Sequence, residues 1–176
     1  VLSGARKVTP PKQSPCCCVT EPALRRVFFA LWPPEETVHA LDTLAADLKS
    51  RCGGRRLRRD TLHMTLAFIG SVSSSQLALL REIAGRIQGE VFDLRLDRVG
   101  CWPHNRIVWA GCSQVSSRQR RLFDVLVASL GEAGFALDQR PFVPHVTLVR
   151  NARCASLPEL AQPIPWDVRE FVLVES

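Results

Sequence analysis

Two short strings carry the residue types of acid–base chemistry at matching spacing: Leu62-His63-Met64-Thr65-Leu66 and Pro144-His145-Val146-Thr147-Leu148. Each falls in a stretch whose β-branched and apolar residues predict a strand, where residues two apart share a face. His63 and Thr65 therefore stand on one face, with Leu62, Met64, Leu66 and Phe68 expected on the other. His145 and Thr147 repeat the arrangement, with Val146 and Leu148 behind them. An unperturbed imidazole titrates near pH 6.5, so at neutral pH one ring can hold a proton while another lacks it. Two opposed imidazoles can act as base and acid across one phosphorus, each role contributing about 10²–10⁴-fold in rate, or roughly 3–5 kcal/mol of barrier. A threonine hydroxyl two residues on can donate to a non-bridging phosphate oxygen, where charge must be stabilised. This chemistry requires neither a metal nor a cofactor.

A single H-x-T in a strand is a common accident. Two copies with the same apolar flanks, 82 residues apart, are much harder to dismiss. The other two histidines read differently: His39 lies on a predicted helix as a structural residue, and His104 lies in a predicted turn from which it can reach a groove rim.

The elements that must position these strings can be read from periodicity. Arg25 to Trp32 predicts a strand that stops at Pro33-Pro34, and proline suits a helix's first turn. From Glu35, Val38, Leu41, Leu44, Ala45 and Leu48 recur at helical spacing up to Gly53-Gly54. Ser73-Ser74-Ser75 opens a second helix with Leu77, Leu80, Ile83, Ala84 and Ile87 as its stripe, and a third runs from about Ser117 to Ala133. Further strands are expected over Thr61 to Ile69, Val91 to Val99, Arg106 to Gly111, Val143 to Val149 and Pro165 to Val174. Many strands broken by three helices imply an α+β fold with mainly antiparallel sheets.

With its surroundings, the paired motif resembles the two-histidine (2H) phosphoesterase superfamily, in particular the RNA 2′,3′-cyclic phosphodiesterases, also called 2′-5′ RNA ligases. The resemblance runs from about Arg25 to Ser176. It rests on Arg26-Val-Phe-Phe-Ala-Leu31 before the Pro-Pro-Glu helix start, on Leu62-His63-Met-Thr-Leu-Ala-Phe-Ile-Gly70, on Pro144-His145-Val-Thr-Leu-Val-Arg150, and on the closing Phe171-Val-Leu-Val-Glu-Ser176. It implies a bilobal, pseudo-twofold fold, with antiparallel sheets, helices packed outside and both H-x-T motifs facing a central groove. It further implies metal-independent hydrolysis of RNA 2′,3′-cyclic phosphate ends to 2′-phosphates, with reversible 2′-5′ ligation as a related activity. His145 would activate water and His63 would protonate the departing 3′-oxygen. Thr65, Thr147 and Arg150 would hold the phosphate, and Phe28 would stack on a nucleobase. Two alternatives stay open at this level: a noncatalytic RNA- or nucleotide-binding domain, and a cyclic phosphodiesterase for another nucleotide such as ADP-ribose cyclic phosphate.

The organisation expected is a flexible extension over 1–24 and a single bilobal phosphoesterase domain over 25–176, working as a cytoplasmic monomer without a membrane span. Family members usually continue past the position of Ser176 into a further strand, so a chain truncated there would lack one edge strand. The chain has 176 residues, 46% of them hydrophobic and 23% charged, which is ordinary globular composition and excludes wholesale disorder. Its net charge of +6 suggests an anionic partner, but residues 1–26 hold Arg6, Lys7, Lys12, Arg25 and Arg26 against Glu21 alone. The remainder carries 18 basic groups against 16 acidic ones. Its one basic run, Arg51, Arg55, Arg56, Arg58 and Arg59, stands just before the first motif, where it could track an RNA backbone. The seven cysteines include no C-x-x-C pair and read as thiols in a reducing compartment.

Overall fold

The computed structural model describes residues 3–7, 24–138 and 140–176. In chain order the elements are β1 (Ser3–Lys7), β2 (Arg25–Leu31), α1 (Glu35–Cys52), β3 (Arg55–Arg56), a 3₁₀ turn (Arg59–Thr61), β4 (Met64–Val72) and α2 (Ser74–Arg86). They continue with β5 (Phe92–Leu96), β6 (Arg98–Trp102), β7 (Ile107–Gly111), α3 (Ser117–Glu132), β8 (His145–Arg150), β9 (Ile164–Val168) and β10 (Glu170–Glu175).

The three helices stand where the periodicity puts them. Gly53 caps α1 at a φ of 63°, a conformation that costs glycine little. Ser73 and Gln76 form a reciprocal capping box at the start of α2, which satisfies two backbone donors that otherwise lack partners. Two of the expected strands are each broken in two: Asp97 separates β5 from β6, and Arg169 separates β9 from β10. The outer pieces β5 and β9 pair with each other as a separate antiparallel ribbon.

The remaining strands form one sheet in the order β1-β10-β2-β4-β8-β7-β6, with β3 paired to β8. Its two halves touch through a single register pair, Met64 opposite Val146. On one face Phe29, Leu31, Leu62, Met64, Leu126, Leu130, Val146 and Leu148 are fully buried in the main core. Burying one such side chain stabilises the fold by about 1.5–3 kcal/mol, so this face anchors the sheet while the other is left for a groove. A small second cluster on the groove face joins Ala30, Val172 and Val174 with Phe28 and Trp32.

Within the stretch expected to be a flexible extension, β1 runs parallel to β10 and covers its outer edge. That pairing uses backbone groups, which leave no alternation in the sequence. Residues 1, 2 and 8–23, including Cys16, Cys17 and Cys18, lie outside the described residues. The expectation of free thiols is corrected at one pair: Cys52, at the end of α1, is disulfide-bonded to Cys154, while Cys101 and Cys112 are free. The fold brings the two cysteines together, with Arg153 N–H donating to the Cys52 carbonyl at 2.8 Å.

This bond spans 102 residues of sequence. Such a cross-link typically contributes about 2–4 kcal/mol by restricting the unfolded chain. Replacing both cysteines by serine is therefore expected to lower Tm by about 5–10 °C. Reductant should lower the wild-type Tm similarly and leave the double variant unchanged in differential scanning calorimetry.

Candidate active site

Strand alternation brings the first H-x-T string to the groove and then reverses. Along β2 and β4, Leu31 faces Met64, Ala30 faces Thr65, Phe29 faces Ala67, Phe28 faces Phe68 and Val27 faces Gly70. Leu66 and Ile69 are therefore extra residues, and each bulge shifts the alternation by one. Thr65, Ala30 and Phe28 share the groove face. Phe68, expected among the core residues, is instead on that face and 47% exposed, because the bulge at Leu66 turns it over.

The second string contains the same device. Trp109 faces Thr147 and Val108 faces Val149, so Leu148 is the extra residue in β8. Strict alternation from His145 and Thr147 would put Arg150 on the core side. The bulge returns it to the groove face, opposite Ile107 on one side and Arg55 of β3 on the other. The backbone at Gly54 makes this approach close: a Cβ there would lie 2.5 Å from the Arg150 carbonyl oxygen. Gly54 also has a φ of +83°, so two constraints demand glycine.

Both imidazoles are tied down in the same way. His63 Nδ1–H donates to the Thr61 carbonyl at 2.7 Å, and His145 Nδ1–H donates to the Val143 carbonyl at 2.7 Å. A carbonyl can only accept, so the bond fixes the tautomer and leaves Nε2 as the working nitrogen on each ring. Aromatic rings wall both in. Phe28 lies 4.9 Å from His63, and Trp32 stacks on it at 5.4 Å with planes 12° apart. Trp102 meets His145 edge-on at 4.5 Å, backed by Trp109 at 6.2 Å. Trp109 in turn lies across Gly100, where a Cβ would come within 2.1 Å of its indole.

Burial among these rings pushes both histidine pKa values below the ordinary value. The carbonyl bonds oppose that shift, while His63 is lowered further by the charges of His145 and Arg150. The two motifs and Arg150 thus share one electrostatic environment. Beside them a groove of about 690 Å³ runs past Thr65, Trp102, His145 and Phe142. His104 stands exposed on its rim, as its turn position suggested, and His39 is exposed on α1.

The basic run is largely neutralised. Arg51 pairs with Asp47 at 2.8 Å, Arg56 with Asp42 at 3.5 Å, Arg58 with Asp60 and Arg59 with Glu35. Arg55 is the member that stands beside Arg150. Among the described residues, no three His, Cys, Asp or Glu side chains stand together as a metal-ligand group, and no helix is long and apolar enough to cross a membrane.

Comparison with known proteins points the same way. The family model described as "2'-5' RNA ligase superfamily" matches residues 33–176. The chain belongs to the 2′-5′ RNA ligase superfamily. It is 35% identical over 153 residues to the RNA 2′,3′-cyclic phosphodiesterase of Escherichia coli K12, covering 86% of this chain and 87% of that one. It is 30% identical over 164 residues to the Thermus thermophilus protein of the same name, covering 86% and 81%. The crystal structure of E. coli LigT complexed with 3′-AMP superposes with a TM-score of 0.81 at 35% identity, covering 88% of this chain and 89% of LigT.

In this member of the superfamily, all six residues singled out in the sequence (His63, Thr65, His145, Thr147, Arg150 and Phe28) lie on one side of the sheet. Sequence reasoning missed Trp32, Trp102 and Trp109. A signal existed for Trp32, which shares its parity with Phe28 and Ala30. Trp102 and Trp109 share a face only once the β6–β7 register is known, with Trp102 opposite Ile107.

The Arg150 charge that lowers His63 has a measurable consequence. Arg150→Gln removes it, so the His63 titration should move to higher pH in an NMR pH series of the imidazole resonances.

Proposed function

We propose that the chain, as one bilobal unit from Arg25 to Ser176, is a metal-independent RNA 2′,3′-cyclic phosphodiesterase. The carrying observation is the pair of histidines with identically fixed tautomers, which stand on one side of the sheet and each have a threonine two residues on. The superfamily membership and the names of the relatives support the same reading.

In this reading His145 Nε2 takes a proton from water as the water oxygen attacks phosphorus. The bond between phosphorus and the 3′-oxygen breaks, and His63 Nε2–H delivers its proton to that oxygen. The product carries a 2′-phosphomonoester and a free 3′-hydroxyl, so atoms and charge balance. Thr65 and Thr147 donate to the non-bridging oxygens, and Arg150 supplies fixed positive charge where negative charge concentrates. The lowered pKa of His145 keeps the base free of a proton at neutral pH. The lowered pKa of His63 opposes its role as acid, and the anionic phosphate in the groove counters both burial and Arg150. Phe28, packed on His63, offers its remaining face to a nucleobase.

With an RNA 5′-hydroxyl in place of water, the same proton transfers give ligation. The 5′-oxygen bonds to phosphorus, the bond to the 3′-oxygen breaks as His63 protonates it, and a 2′-5′ bond results, whose reversal cleaves that bond again. Both motifs come from one chain, so the groove is complete in a monomer. In this reading the enzyme works in the cytoplasm, where cellular reductants act on the Cys52–Cys154 bond.

The decisive experiment is turnover of a 2′,3′-cyclic nucleotide in excess chelator. Activity should persist there, and His63→Ala and His145→Ala should each lower kcat by about 10²–10⁴-fold. The kcat/KM profile should be bell-shaped, with its acid limb below pH 6.5 because burial disfavours the charged base. Loss of turnover on chelation, or a rate that climbs steadily to pH 10, would contradict the mechanism.

A further inference from the structure

Along the groove face and at the bulge, the two H-x-T strands correspond until one position. His63 corresponds to His145, Thr65 to Thr147, and the bulge at Leu66 to the bulge at Leu148. The residue that follows two places after each bulge, turned to the groove face in both, is Phe68 in one lobe and Arg150 in the other. One lobe therefore presents a guanidinium where its counterpart presents an aromatic ring.

Phe68 does not stand by itself. It lies opposite Phe28 across the β2–β4 ladder, and the Arg26 guanidinium sits over its ring at 5.3 Å from the centroid. Arg26 is exposed and makes no ion pair among the described residues, whereas its neighbour Arg25 is bound to Glu175 at 3.0 Å. An exposed phenylalanine on a catalytic groove, capped by an uncommitted cation, fits a ligand with a flat ring and a negative charge.

We propose that Arg26 and Phe68 form a second nucleotide subsite, which takes the nucleotide on the 5′ side of the cyclic-phosphate end of an RNA. This rests on the cyclic phosphodiesterase reading, in which the departing 3′-oxygen lies at His63 and so puts the terminal nucleoside over the β2–β4 half. Phe28 is the aromatic next to His63, and Arg26 stands two residues farther along β2, about 6–7 Å away. The strand thus leads from the terminal nucleoside to Arg26, which meets the phosphate joining the last two nucleotides, while Phe68 meets the base beyond it. Stacking of this kind accepts any base, because every base has a π-face.

The test compares adenosine 2′,3′-cyclic phosphate with the adenylyl dinucleotide ending in a 2′,3′-cyclic phosphate, in one assay. Wild type should turn over the dinucleotide with kcat/KM about tenfold or more above the mononucleotide. Phe68→Ala and Arg26→Gln should each remove most of that preference and leave mononucleotide turnover in place, while Phe68→Trp retains it. Equal rates on the two substrates, or equal losses on both in Phe68→Ala, would overturn the subsite. Calorimetric binding of adenosine 2′-monophosphate and of the 2′-phosphate-ended dinucleotide separates the two readings. If neither cyclic substrate turns over but the dinucleotide binds more tightly in a Phe68-dependent way, hydrolysis fails and the subsite stands. If hydrolysis proceeds but the two products bind equally, the subsite fails and the hydrolytic reading stands.

Discussion

The groove exists because two strands that could have paired along their length meet at one residue pair. Met64 faces Val146, and beyond that point β4 and β8 separate. Had the ladder continued, backbone hydrogen bonds would have closed the space in which the histidines work. Both H-x-T strings sit at this single crossing: His63 immediately precedes Met64, and His145 immediately precedes Val146. The carbonyls of Thr61 and Val143, just upstream of the separating strands, are taken by the two imidazoles. The break in the sheet and the fixing of the rings are thus one event, and the buried Met64 and Val146 side chains hold it in place.

The β-bulges are the second determinant of the site. A strand with perfect alternation offers every other residue to the groove, which suits a histidine and a threonine but not a third group five residues after the histidine. One extra residue in each strand shifts the parity after the threonine and recruits that third group. The extra residues, Leu66 and Leu148, are apolar and buried, so each bulge sits over the core. The result is a nearly symmetric frame with an asymmetric outcome, a guanidinium in one lobe and a phenyl ring in the other. A cyclic phosphate on a nucleoside is asymmetric in the same sense, with charge toward one side and an aromatic base toward the other.

Electrostatics in the site come from enclosure more than from net charge. The +6 of the whole chain lies mostly near its N-terminus, and four arginines of the basic run before the first motif are spent on Asp42, Asp47, Asp60 and Glu35. Trp32, Phe28, Trp102 and Trp109 instead set the environment of the histidines, which lowers their affinity for protons until an anion enters. The charges of His145 and Arg150 add to this at His63.

By itself the sequence determined the three helices, most strands, and the side of the sheet on which the H-x-T residues lie, because these follow from local periodicity and from turn and cap chemistry. The paired motif singled out His63, Thr65, His145 and Thr147, and the family resemblance added Arg150 and Phe28; all six lie on one side of the sheet. Tertiary structure decided what depends on pairing between distant segments. The bulges at Leu66 and Leu148 exist only relative to a partner strand, so Phe68 read as core and the orientation of Arg150 was not legible. The Cys52–Cys154 bond joins residues far apart in the chain that only packing of α1 beside β8 brings together. The tryptophans around the histidines come from β6, β7 and the end of β2, and no local signal states that these meet. Period-2 patterning is a property of one strand, whereas register, bulges and cross-links are properties of two; that is why the chemistry could be read from the chain and its geometry could not.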